Sequence, residues 1–119
     1  MILYDPSEVY SGFSFPWELE HIADLGLEDL DAWFLMDATL GADYIKDLAE
    51  RYPERHLVPF AKRSDCDDVA CFELEKPGKV VIVHDFADPG WESREEYDTF
   101  WDWFRSAIDL LIERAEEEA

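Results

Sequence analysis

Positive charge is scarce in this chain. Ten Lys and Arg stand against 30 Asp and Glu among 119 residues, a formal net charge of −20, and only four of the ten are lysine. A nucleic-acid binder draws its affinity from cationic contacts to phosphate, so that class is excluded. An anionic membrane surface is disfavoured by the same sign. Long apolar runs are also missing, since nothing approaches the ~20 apolar residues of a membrane-spanning helix. The opening Met1-Ile2-Leu3-Tyr4-Asp5-Pro6 lacks the basic segment and long apolar stretch of a secretory leader, so a cytoplasmic protein is expected. Cysteine is nearly absent. Cys66 and Cys71 stand five apart with no CxxC pair and no second cluster, and a cytosolic setting argues against a disulfide. Cys71, beside Phe72 in an apolar run, reads as a small buried hydrophobe. No repeat or low-complexity segment occurs.

What is present is a core. Forty-eight per cent of the residues are hydrophobic and 15% aromatic, which excludes global disorder despite the charge. Residues 1–119 suffice for a single domain that buries about two thirds of its unfolded surface. The negative field attracts basic partners and speeds their association. Solubility, or adaptation to a salty cytoplasm, accounts for the same composition, and charge alone does not choose between these readings.

The first 15 residues mix aromatics (Tyr4, Tyr10, Phe13, Phe15) with turn-formers and read as an irregular, packed lead-in. Pro16 suits the first turn of a helix through Leu25, which Gly26 can close in a left-handed conformation. Leu30 to Met36 is ambiguous between a buried strand and a helical turn. Tyr44 to Tyr52 predicts a helix after Gly41, with 44, 45, 48 and 52 on one face. Leu57 to Lys62, Val69 to Leu74 and Lys79 to Asp85 predict three short strands, the last two joined as a hairpin by Glu75-Lys76-Pro77-Gly78. The separations are too short for parallel crossovers, so the sheet should be largely antiparallel. Val80 to Val83 is apolar on both sides, as a strand covered on both faces is.

A C-terminal helix completes the pattern. Ser93-Arg94-Glu95-Glu96 has the form of a capping box, and Tyr97, Trp101, Phe104, Ile108, Leu111 and Ala115 follow at helical spacing. On this phase Trp103 and Leu110 lie off the stripe, against the N-terminal segment or in solvent. The expected fold is α+β: a small, mostly antiparallel sheet with helices packed on one side, including the 93–115 helix. Val81, Val83, Phe72, Trp101 and Phe104 should be buried in mutual contact.

Three constellations bear on chemistry. Asp65-Cys66-Asp67-Asp68 offers carboxylates to Ca²⁺ or Mg²⁺ but lacks the glycine and distant glutamate of an EF-hand loop, and Asx side chains stabilise turns by bonding their own backbone. His84-Asp85, with Asp88, Trp91 and Glu92 behind it, sets a histidine among carboxylates, the makings of a general base. No Ser or Cys is evidently placed to be activated, and His84 is read as a strand-end residue hydrogen-bonded to the next loop. His21 and His56 carry no motif. The aromatic excess (Trp91, Trp101, Trp103, Phe100, Phe104) is mostly core, with any exposed tryptophan a protein-binding anchor. Sugar stacking on these rings lacks an accompanying polar pattern in the sequence. No metal or other cofactor is expected.

One block orders these pieces. Leu57-Val58-Pro59-Phe60-Ala61-Lys62-Arg63, Ser64 to Asp68, Val69-Ala70-Cys71-Phe72-Glu73, Lys79 to Asp85, Gly90-Trp91-Glu92 and Phe100-Trp101-Asp102-Trp103-Phe104 follow without a break. The layout resembles the SUKH superfamily, bacterial immunity proteins related to eukaryotic cell-wall-assembly regulators, over the last two thirds of the chain. That family's Leu-Pro segment is absent before Leu57, and the turn at 64–68 carries no glycine. The resemblance implies a non-enzymatic domain that binds proteins, foremost an immunity protein neutralising a basic, nuclease-type toxin. A regulatory module with an endogenous partner is the alternative, and a hydrolase or metal-dependent enzyme comes third. If the strands are antiparallel, the 64–68 and 85–92 loops share one end of the sheet. Asp65, Asp67, Asp68, Asp85, Asp88, Trp91 and Glu92 are therefore the expected contact surface, with Trp103 and Leu110 as the fallback.

Overall fold

The computed structural model describes residues 1–119. After a 3-10 turn at Pro6–Glu8 come α1 (Trp17–Asp24), β1 (Asp29–Leu30), β2 (Trp33–Leu35), α2 (Ala38–Arg51), β3 (Leu57–Arg63), β4 (Asp68–Glu73), β5 (Val80–His84), β6 (Ser93–Tyr97) and α3 (Phe100–Glu118). The strands form one six-stranded antiparallel meander in sequence order, so the fold is α+β as expected. Gly78, at φ 81°, turns the β4–β5 hairpin, and Gly26, at φ 78°, follows α1. Both conformations are open to glycine at little cost. Pro59 falls at the β3–β4 bulge, where the ladder tolerates a residue without an N–H.

The middle strands are apolar at consecutive positions, and alternation sends neighbours to opposite faces. Val58, Phe60, Ala70, Phe72, Val80 and Ile82 join a cluster with Leu19 and Ile22 of α1 and Phe100 and Trp103 of α3. Leu57, Val69, Cys71, Val81 and Val83 join a second cluster with Leu48 of α2 and Tyr52 just after it. Helices therefore cover both faces, and the one-sided packing expected from sequence is corrected. Val81 and Val83 lie across the sheet from Phe72, Trp101 and Phe104, so the expected five-residue contact does not form.

Two helix starts also differ. Asp37 caps α2 by accepting from the Leu40 N–H at 2.8 Å. The helix thus begins before Gly41, which is buried against the Tyr4 ring so closely that a Cβ there would overlap it. The 93–97 segment is strand β6, not the first turn of a helix: Val80 pairs with Tyr97 and Ile82 with Glu95. A capping pattern is a local preference, and the unpaired edge of β5 overrides it. The N-cap of α3 is Thr99, which accepts from Asp102 N–H at 3.1 Å.

The buried line of α3 runs through Phe100, Trp103 and Ala107 instead of 101, 104, 108 and 111, which are only half-buried. Trp103 is fully buried, edge-on to Phe60 at 4.9 Å. At about 100° per residue the apolar arc of α3 spans half its circumference, too wide for periodicity to say which side meets the sheet. The sheet takes the Trp103 side, and Trp17 of α1 meets Trp101 at 6.0 Å. Trp103→Ala should therefore lose ~3–5 kcal/mol in urea denaturation and Phe104→Ala clearly less. Equal losses would mean that the two residues share the core.

Candidate functional site

The β5–β6 connection, Asp85 to Glu92, is held at both ends by arginines from the C-terminal end of α2 and the residues just after it. Arg51 grips Asp85 with two hydrogen bonds of 2.7 Å each. Arg55 grips Glu73 with two of 2.9 Å and reaches Glu92 at 2.9 Å and Ser93 Oγ at 3.1 Å. Between them the Tyr52 hydroxyl donates to the Ala87 carbonyl at 2.7 Å. The Gly90 N–H donates to Glu92 at 2.6 Å, closing the loop on itself. Bidentate guanidinium–carboxylate pairs are stiff as well as strong. The same loop is tied to the β3–β4 loop by the Asp85 N–H donating to the Asp67 carbonyl at 3.0 Å.

What this frame presents is aromatic. Phe86 is 65% exposed and Trp91 79%, the second most exposed large apolar side chain of the molecule. Phe86 also sits at φ 69°, a region that a bulky residue enters at a cost of about 1–3 kcal/mol. The anchored ends enforce this conformation, and the Arg51 guanidinium lies 4.4 Å from the Phe86 ring centre. Apart from that one contact the strained Phe86 ring faces solvent.

The seven residues expected at a contact surface separate into groups. Both acidic loops do lie at one end of the sheet. Asp67, Asp88 and Trp91 are exposed there. Asp65 is exposed but bound by Arg63 at 2.8 Å and approached by Arg114 at 3.6 Å. Asp68 is partly buried against His84, Oδ1 to Nδ1 2.8 Å, so His84 bonds back to the start of β4. Asp85 and Glu92 are corrected: at 1% and 5% exposure they are internal partners of Arg51 and Arg55 and present no charge outward. Sequence reasoning missed Phe86, Arg51, Tyr52 and Arg55. The four-residue spacing of the two arginines at a helix end was a legible signal, but their partners stand 18 to 37 positions away.

The electrostatics follow from this frame. Burial pushes the Glu92 carboxyl up, but the Gly90 N–H and the Arg55 guanidinium outweigh it and hold the pKa below the usual glutamate range. Burial alone would lower the Arg51 pKa, and the Asp85 hydrogen bonds and charge reverse that. Cys71, enclosed beneath α2, has its thiol pushed far up by burial. Asp65 and Asp68 turn to separate partners while Asp67 faces solvent, and no group of three His, Cys, Asp or Glu side chains is placed to hold a metal ion. The arrangement suits adhesion, a rigid aromatic projection flanked by free carboxylates.

No family model, curated protein or solved structure matches the chain.

Removing Arg55 leaves Glu73 and Glu92 buried without a counter-charge. Arg55→Ala should cost ~3–5 kcal/mol, the usual penalty for breaking a buried pair. Since the folded pKa of Glu92 is depressed, its contribution is complete above the unfolded value and is lost as pH falls through the folded one. Acid titration of the wild type should loosen the 85–92 loop below the ordinary glutamate range, seen as a fall in the Gly90 amide protection factor, the intrinsic exchange rate at each pH divided by the observed one. A protection factor that holds steady until the whole domain unfolds in acid would contradict the assignment.

Proposed function

We propose that this domain is a non-enzymatic binding protein that captures a basic protein on the 85–92 loop, with the β3–β4 loop alongside. The observation that carries this is the strained, exposed Phe86 and exposed Trp91 held on a frame of buried arginine–carboxylate pairs. Tryptophan and other large side chains in a rigid setting dominate binding energy at protein interfaces. Preorganisation lowers the entropy lost on docking. Asp67 and Asp88 stand beside the aromatics and add to a net charge of −20, so encounter with a cationic partner is accelerated. The sequence resemblance to SUKH immunity proteins supports a cognate toxin as that partner, occluded by this surface. A cytoplasmic setting accords with that role, and no helix is long and apolar enough to cross a membrane.

The test is kinetic, using a basic toxin domain encoded beside the gene. Asp67→Lys with Asp88→Lys should slow association about tenfold at low salt and flatten its salt dependence, because only long-range attraction is changed. Trp91→Ala should leave association nearly unchanged and speed dissociation by tenfold or more, an anchor's loss of about 1.4 kcal/mol or greater. If both variants keep wild-type kinetics against a toxin that the wild type binds, the interface lies elsewhere on the molecule. Absence of a toxin gene, together with capture of a basic host protein by wild type but not Trp91→Ala, would move the reading to a regulatory module.

A further inference from the structure

The largest concavity of the molecule plays no part in that reading. It lies by the β4–β5 turn, at the end of the sheet away from the two acidic loops. A half-open cleft of about 700 Å³ runs between the Phe13–Glu18 segment, the turn at Lys76–Gly78 and the first turn of α3. That volume falls in the range of small-molecule sites, about 300–1,000 Å³. Its floor is aromatic: buried Phe15, Phe72 and Phe100 stand with neighbouring ring centres 6.1 and 6.3 Å apart. Half-buried Phe13 and Trp101 line it as well.

The rim decides the ligand chemistry. Glu18, Lys76, Asp102 and Arg105 surround the mouth, two acceptors and two donors whose formal charges cancel. The fifth charged lining residue, Glu73, is neutralised by Arg55, and Lys76 gives one of its three donors to Glu96 at 2.6 Å. A cation would meet Lys76 and Arg105, and an anion would meet Glu18, Asp102 and the field of a −20 chain. A wholly apolar ligand would strip water from four charged groups without replacing their hydrogen bonds. What fits is a neutral molecule with an apolar face and many hydroxyls. Arg105, 73% exposed and only loosely held by Asp102 at 3.5 Å, keeps most of its five donors free. Within the cleft the Phe100 and Trp101 rings meet at 74°. They form a corner, not the parallel-walled slot that sandwiches a flat nucleobase.

We propose that this cleft binds a neutral oligosaccharide. Its pyranose C–H face lies on Trp101, where the negative ring face meets partly positive hydrogens. Glu18 and Asp102 accept from its hydroxyls, and Lys76 and Arg105 donate to them. The fold brings Glu18 and Lys76 from two separate segments to the side of Trp101, where they join Asp102 and Arg105 of its own helix.

The experiment titrates ¹⁵N-labelled full-length protein with trisaccharides of glucose, mannose, galactose and N-acetylglucosamine. At least one should saturate with a dissociation constant of about a millimolar or below, moving the Trp101 indole resonance. Trp101→Ala should abolish that binding, with folding checked by its thermal melt. The surface pair Glu18→Gln with Arg105→Ala should weaken it about tenfold while leaving the fold intact. The proposal is overturned if no trisaccharide saturates, if the shifts map away from the cleft, or if adenosine or indole acetate binds more tightly than every sugar. None of these outcomes touches the 85–92 loop, so this result and the protein-binding reading stand or fall separately.

Discussion

The constraint on which the rest depends is that β3, β4 and β5 are apolar on both faces. Strands of that kind cannot leave one side to water, so helices must cover both. The chain meets the demand by laying α1 and α3 on one face and α2 across the other, where Leu48 and Tyr52 close over Cys71, Val81 and Val83. Placing α2 there carries its C-terminal end to the sheet end where the β5–β6 loop emerges. Arg51, Tyr52 and Arg55 then reach that loop directly. The frame around the β5–β6 loop is thus a consequence of how the second face of the sheet is buried.

The scarcity of cations acquires a structural meaning in the same way. Seven of the ten Lys and Arg engage carboxylates inside the molecule: Arg51, Arg55, Arg63, Lys76, Lys79, Arg105 and Arg114. The positive charges are spent on holding loops and turns, and the excess of carboxylates remains outward. Arg114 illustrates this. From α3 it meets Asp31 at 3.1 Å and Asp65 at 3.6 Å, joining the β1–β2 hairpin to the β3–β4 loop. Exposed pairs of this kind add little stability singly, but they decide which acids stay free. Asp67 and Asp88 do, whereas Asp65 and Asp68 do not.

The two ends of the sheet have become chemically distinct. One carries projecting aromatics among acids on a stiff frame. The other carries a recessed aromatic floor under a rim of both charge signs. Antiparallel order accounts for the separation, since successive connections alternate between ends. The β4–β5 turn stands at one end, and the β3–β4 and β5–β6 loops stand together at the other.

Much of this architecture was legible in the chain. Residue types and spacing alone determined the α+β class, the antiparallel order of the 57–62, 69–74 and 79–85 runs, the tight turn at Gly78 and the shared end of the two acidic loops. These are local properties: apolar alternation, turn chemistry and connection length act over a few residues. Tertiary structure decided the rest. Leu30 to Met36 became a hairpin because the edge of β3 was open to it, with Leu35 set opposite Ala61. Ser93 to Tyr97 became a strand because β5 needed a neighbour more than α3 needed an earlier cap. Trp103 took the centre of the core because the apolar arc of α3 is broad and the sheet chose one half of it. Asp85 and Glu92 look like surface charge in the sequence and are buried because arginines distant along the chain arrive to neutralise them. Whether a carboxylate is free to meet a partner depends on which cation reaches it, and only the folded chain sets that distance.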